Sequence, residues 1–241
     1  MKAVRLHDWQ VGVAEARELQ RDLAAVVVRR GAVGEPALIA GADISGEDAE
    51  GNVRAAVVVL RQPDMAVVDS SVIVMKPAFP YVPGLLSFRE VPLLLKAFEG
   101  ITVVPDVIIA DGQGIAHPRR IGLASHLGLL LDAPVIGCAK SILCGRHGEL
   151  GDEPGSSAPL VDRGDVVGAV LRTRRGVKPV YVSIGHMVDL DAAVRRVLAC
   201  CRGYRLPEPT RLAHLAAAGK LPSPARWASP ASRRWGVPAD R

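Results

Sequence analysis

Two aspartates in this chain close short apolar runs: Asp43 follows Leu38-Ile39-Ala40-Gly41-Ala42, and Asp111 follows Val107-Ile108-Ile109-Ala110. A carboxylate at the end of a buried strand is costly unless something positive sits against it. For either one alone, a turn former or helix cap is the simpler role. Two in one sheet are harder to explain that way, because neighbouring strands would aim both acids into one crevice, where a divalent cation best relieves their repulsion. Hard oxygen ligands without a Cys or His cluster favour Mg²⁺ or Mn²⁺ over zinc, and metal-assisted phosphoryl chemistry is their natural use.

Other residues could join such a site. Glu90 lies three residues after Ser87, a capping-box spacing, so helix capping and metal ligation compete for it and capping is the simpler of the two. Lys140 follows the apolar run Val135-Ile136-Gly137, where an ammonium could meet a scissile phosphate or an attacking water. Gly112 and Gly114 permit a ligand to approach the backbone closely. They are not a dinucleotide fingerprint, since the third glycine of G-x-G-x-x-G would fall on His117. His214 is a lone helical histidine, a residue type more often structural than functional. Cys138, Cys144, Cys200 and Cys201 form no C-x-x-C pair, so reduced and mostly buried thiols are expected rather than zinc or disulfides. A Cys138 nucleophile with His117 or His126 as base is the weaker alternative.

The elements that must hold these residues follow from periodicity. Val11 to Arg30 carries an apolar stripe at helical spacing and ends at Gly31. Three β runs come next, at 37–44, 53–60 and 65–75, separated by turns short enough for antiparallel neighbours. A helix from Ser87 follows the Pro-rich loop. Beyond Gly100 the order becomes strand, helix, strand at 106–110, 119–131 and 134–139, the pattern of parallel strands joined by a crossover helix. A hairpin at 166–172 and 179–184, a helix at 190–201 and a last helix carrying His214 complete the chain. This is the element order of a ribonuclease H-like α/β fold, with a central mixed sheet of three antiparallel and then parallel strands, flanked by helices.

With 241 residues and 49% hydrophobic side chains, the chain can bury one sizeable core, expected as a single domain over residues 1–218. Residues 219–241, rich in Pro and Arg, read as a poorly ordered tail. No secretory signal or membrane-length apolar run is seen, so a soluble, cytoplasmic protein is expected; it is also expected to be a monomer. The net charge of +5 is unevenly spread: residues 1–120 hold 13 basic and 15 acidic side chains, residues 121–241 hold 17 and 10. The excess is mostly Arg, which suits bidentate phosphate contacts and makes a nucleic-acid partner as plausible as a merely solvated surface.

Pro80-Tyr81-Val82-Pro83-Gly84-Leu85-Leu86-Ser87-Phe88-Arg89-Glu90 resembles the P-Y-[IV]-P-G-x-L-x-F-R-E signature of the endonuclease V family. The resemblance extends over roughly Leu38 to Ala217. It includes Asp111-Gly112-x-Gly114, His117-Pro118-Arg119, Ala124-Ser125-His126 and Gly137-Cys138-Ala139-Lys140-Ser141. It implies that Asp43, Glu90 and Asp111 are the catalytic metal-binding acids, against the capping role for Glu90. It also implies that Lys140 and His214 act beside the metal.

The same resemblance implies that Tyr81 is a wedge filling the duplex space left by an extruded base. Pro83, Gly84, Arg89, Gly112, His117, Gly122 and Ser141 are then expected to contact substrate. Two prolines stiffen the loop, and an exposed aromatic ring can replace roughly 1–3 kcal/mol of lost stacking per base. The implied reaction is Mg²⁺-dependent hydrolysis, with Mn²⁺ as substitute, of the second phosphodiester 3′ to deoxyinosine in DNA, leaving a 3′-hydroxyl and a 5′-phosphate. Backbone amides around Gly84, Gly112 and Gly122 are candidates for reading the hypoxanthine. Inosine-containing RNA is the alternative substrate, and a binding protein that has lost cleavage is the alternative class.

Overall fold

A computed structural model describes residues 1–31 and 33–221, so most of the Pro/Arg-rich tail lies outside the described residues. Eight strands form one mixed sheet: β1 (Leu38–Ile44), β2 (Val53–Arg61), β3 (Ala66–Met75), β4 (Val107–Ala110), β5 (Val135–Ala139), β6 (Ser157–Asp162), β7 (Asp165–Leu171) and β8 (Val180–His186). They are ordered β3-β2-β1-β4-β5-β8-β7-β6. β1, β2 and β3 pair antiparallel, as short turns require; β1 with β4 and β4 with β5 pair parallel; β8 returns antiparallel to β5. The sheet is the ribonuclease H-like arrangement expected from the element order.

Alternation along the strands divides the core between the two faces of the sheet. Ala40, Ala42, Ala55, Val57, Ile108 and Ala110 pack under α2 (Leu86–Glu99) and α3 (Leu123–Leu131). Ile39, Ala56, Val58, Val107, Ile109 and Ile136 pack under α4 (Leu190–Ala199), α5 (Glu208–Ala217) and the end of α1 (Val13–Ala25). Strands covered on both faces read as continuous apolar runs, which is why β4 and β5 are uniformly buried.

Several elements depart from the sequence expectation. The first helix stops at Ala25, not Arg30, because Val26-Val27-Val28 is β-branched and finds partners elsewhere: the Val28 amide donates to His186 Nδ1 at 3.2 Å and the Val28 carbonyl accepts from Met187 at 2.8 Å. The crossover helix starts at Leu123 rather than Arg119, and the expected hairpin gains a third strand, β6. The capping box at Ser87 does not form. The helix already begins at Leu86 behind the turn Leu85 N–H to Val82 carbonyl, so Ser87 lies inside the first turn and its hydroxyl caps nothing. Among the described residues no helix is long and apolar enough to cross a membrane.

Candidate active site

Strand register places the two aspartates. Ala42 and Ala110 are paired in the parallel β1–β4 ladder, so Asp43 and Asp111, each one residue further, stand side by side at the C-terminal edge of the sheet. The Asp111 amide donates to the Ala42 carbonyl at 2.9 Å and ties the two strand ends together. Gly137 of β5 is in register with Ala110, which brings Lys140 to the same edge, and its ammonium forms an ion pair with Asp111.

α5 supplies the next member. Gly41 lets that helix rest directly on β1, since a Cβ there would lie 1.9 Å from the Pro209 carbonyl oxygen. His214, one turn and a half along, consequently reaches Asp43, with its Nδ1 2.8 Å from Oδ2. One ligand atom from each of Asp43, Asp111 and His214 falls within 4.8 Å of the others.

Glu90, near the start of α2, stands outside that trio yet within electrostatic range of both acids. Burial, then the charge of Asp43, push its carboxyl up to about 8, against the opposing pull of Arg89. Burial and the neighbouring Asp111 likewise raise Asp43 to about 6, with Lys140 and His214 opposing. Carboxyls whose pKa values are raised by burial and then by one another's charge are a set that a divalent cation fits, since it supplies the fixed positive charge they lack. Asp43, Asp111 and Glu90 supply hard oxygens and His214 a nitrogen, a donor set compatible with Mg²⁺ or Mn²⁺. Cys138 is fully buried with its thiol pushed well up by burial, and no such group serves as a nucleophile.

Beside the acids lies a cavity of about 150 Å³ whose wall includes Tyr81, Pro83, Gly84, Gly112, His117 and Gly122, six of the residues expected to contact substrate. Gly112 joins it directly to Asp111. Tyr81 stands at its mouth, 70% exposed, as a packed core tyrosine would not. The loop is pinned from below at one atom, the Gly84 carbonyl, which accepts from Gln20 Nε2 at 3.0 Å, His117 Nε2 at 3.0 Å and Arg119 at 2.7 Å. Gly84 has φ +79°, and a Cβ there would meet the Arg119 guanidinium at 2.8 Å, so only glycine suits the position.

His117 receives the Arg119 amide on Nδ1 at 3.2 Å, which fixes it as the neutral tautomer protonated on Nε2. Burial and then the nearby Arg119 push its pKa down to about 4, in keeping with that assignment. It lines the cavity, whereas His126 is buried against Phe88, Trp9 and His7; neither hydrogen-bonds to Asp111.

Other expected contacts are arranged differently. Arg89 turns to the Phe79 carbonyl at 2.8 Å and pairs with Glu47, bracing the loop from behind. Ser141 acts through its carbonyl, which accepts from Gln113 Nε2 at 2.7 Å. The amides of Gly112 and Gly122 already donate to the Ala110 and Gly114 carbonyls, so they shape the wall instead of offering free N–H groups to a base. Sequence reasoning missed Gln20, Ser87, Gln113 and Leu143 in the wall. Gln20 left a signal: it is a polar residue inside the apolar stripe of α1, between Ala16 and Leu23, and is fully buried.

Comparison with known proteins agrees with this geometry. The profile described as Endonuclease V matches residues 21–215. Endonuclease V of Dehalococcoides mccartyi strain BAV1 is 55% identical over 218 residues, covering 90% of this chain and 98% of its own. The crystal structure of Endonuclease V from Streptomyces avermitilis superposes with a TM-score of 0.83 at 43% identity, covering 88% of this chain and 94% of that one. Ciona intestinalis Endonuclease V, solved with a 24mer DNA containing an inosine followed by a ribo-adenosine, superposes at 0.73 with 28% identity, covering 87% and 97%. The paired strand-end acids and the pinned loop thus sit inside a match spanning nearly the whole described chain, which belongs to the endonuclease V family of phosphodiester-cleaving nucleases.

Proposed function

We propose that the chain is an Mg²⁺-dependent endonuclease for DNA containing deoxyinosine, and that it hydrolyses the second phosphodiester 3′ to the lesion to leave a 3′-hydroxyl and a 5′-phosphate. The observation that carries this reading is the junction of pocket and acids: Gly112 lines the cavity and Asp111, its neighbour, belongs to the acid cluster. A base held in the cavity therefore brings its own strand past the carboxylates. The DNA-bound Ciona relative, which carries inosine, supports the choice of base.

Asp43, Asp111 and Glu90 would hold the cation, with His214 alongside. When bound, it supplies charge neutralisation at the phosphate and lowers the pKa of the attacking water. Lys140 holds the Asp111 carboxylate in place and adds positive charge where the pentacoordinate phosphorus develops negative charge. His214 keeps Nδ1 on Asp43 and has its second ring nitrogen available to pass a proton at the reacting oxygens.

At the pocket, Tyr81 takes the stacking place of the extruded base. Hypoxanthine differs from adenine in bearing a carbonyl at C6 and a proton on N1. The wall residues Ser87 and Gln113 each hold a buried oxygen without a partner among the described residues, a hydroxyl that can donate to the carbonyl and an amide oxygen that can accept the N1 proton. Adenine, with an acceptor at N1, would set two acceptors against each other.

The ribonucleotide beside the inosine in the Ciona complex makes inosine-containing RNA the second substrate to compare. The test is a nicking assay on matched DNA and RNA oligonucleotides carrying one inosine or one adenosine, with the product ends mapped. Mg²⁺-dependent cutting at the second bond 3′ to inosine in DNA is the expected result. Equal cutting of the adenosine controls would overturn the reading, and cutting of RNA alone would reassign the substrate.

A further inference from the structure

α1 has a buried face and a charged face, and both bear on the pocket. Ala16, with Val13 and Leu19 partly buried, packs against Phe79, Val82, Leu85 and Phe88, so the helix is the seat of the Tyr81 loop. Gln20, on the same helix, accepts from Arg119 Nε and donates to the Gly84 carbonyl, which fixes the Arg119 guanidinium at the pocket's flank. Arg17 and Arg21 fall with Gln20 inside an arc of about 100° on the helix. Both are exposed.

Burial first, and then the charges of Arg17 and Arg21, disfavour the charge on Arg119. The mutual repulsion of these three guanidiniums is poorly compensated within the protein. Among the described residues Arg17 forms no ion pair, Arg21 reaches only Glu18 at 3.8 Å, and Arg119 donates only to neutral oxygens. A like-charge group in which a buried glutamine ties Arg119 to the helix that carries Arg17 and Arg21, next to a pocket that takes a base, is complementary to a polyanion with spaced charges.

We infer that Arg17, Arg21 and Arg119 form a binding face for the phosphodiester backbone of the lesion-bearing strand, on the flank of the pocket walled by Gln20 and His117 and away from the acids beyond Gly112. Gln20 is the positioning residue of this face. The inference rests on the reading of the pocket as a base site and adds to it where the strand is gripped. Of its three arginines, Arg17 precedes the stretch matched by the family profile, whereas Arg21 and Arg119 lie within it.

The test is the salt dependence of affinity for an inosine-containing duplex, with Ca²⁺ in place of Mg²⁺ to hold the substrate intact. Each phosphate contact contributes about 0.9 to the log–log slope. The double variant Arg17→Ala/Arg21→Ala should lose nearly two from the slope and bind several-fold more weakly at about 0.15 M salt, while Arg17→Lys/Arg21→Lys keeps the slope. Arg195→Ala, an exposed arginine on α4, serves as the control for general charge loss and should leave it unchanged. A slope unaltered by the double alanine change, or altered equally by Arg195→Ala, would overturn the inference. Wild-type protein that binds inosine and undamaged duplexes equally would sink the pocket reading, and the slopes would still decide on the arginines.

Discussion

The acid cluster and the pocket beside it are built by different means. Asp43, Asp111 and Lys140 inherit their positions from the register of β1, β4 and β5, so the hydrogen-bond ladder itself aligns them. Tyr81, Gly84 and His117 stand on irregular backbone, and their geometry depends on side chains from distant parts of the chain, Gln20 and Arg119 above all. A ladder fixes where charge sits and tolerates a change of side chain. A loop pinned at one carbonyl oxygen fixes shape and is sensitive to the loss of any pin. Cutting and lesion recognition should therefore fail separately.

The largest effect is expected at the acids. Asp43→Asn and Glu90→Gln should each reduce single-turnover nicking by more than about 10³-fold, at least the cost of removing one preorganised electrostatic group, with inosine binding nearly intact. Substantial Mg²⁺-dependent turnover in either purified variant would remove that residue from the cutting role.

An intermediate effect is expected at Tyr81, the proposed wedge. Tyr81→Ala should slow nicking of inosine in a duplex by roughly 5–150-fold, the equivalent of one lost stack of about 1–3 kcal/mol. An inosine already unpaired in a single strand should suffer much less, and Tyr81→Phe should behave as wild type on both. Equal losses on the two substrates, or a Phe variant as poor as Ala, would return Tyr81 to a packing role.

The smallest effect is on stability and runs against intuition. Glu90 at about 8 and Asp43 at about 6 bind protons in the folded state that the unfolded chain, near its ordinary values of 4.5 and 3.8, has already released. Metal-free stability should thus fall as pH rises from about 4 to about 8. Glu90→Gln removes part of that penalty, so with chelator present it should melt a few degrees above wild type at pH 8, the gap closing toward pH 4. Mg²⁺ should raise the melting temperature of wild type more than that of the variant. Melting curves that show the same offset at both pH values would contradict the crowded-acid account.

How much of this was legible in the sequence follows the same division. The strand-end acids were readable because an apolar run ending in Asp states both the strand and the direction of the carboxylate, and parallel pairing did the rest. The Pro80–Glu90 motif located the loop that carries the exposed Tyr81, yet capping chemistry at Ser87 was misleading because the turn at Val82–Leu85 starts the helix earlier than the cap residue suggests. His214 was an isolated helical histidine until Gly41 showed how closely α5 can rest on β1. The pins of the pocket were not legible at all: contact of Gln20 with Gly84 and Arg119 spans 64 and 99 residues, and no local pattern encodes it beyond one polar residue in an apolar stripe. The amides of Gly112 and Gly122 looked available until their local carbonyl partners were seen.

The most direct test places one variant of each region side by side: binding and single-turnover nicking of inosine and undamaged duplexes by Asp111→Asn and Gly84→Ala. The expected result is a double dissociation, in which Asp111→Asn binds the inosine duplex selectively and cuts neither, while Gly84→Ala retains Mg²⁺-dependent cutting with its preference for inosine largely lost. Selective cutting by Asp111→Asn, or undiminished preference in Gly84→Ala, would contradict the assignment of cutting to the acids and recognition to the pinned pocket.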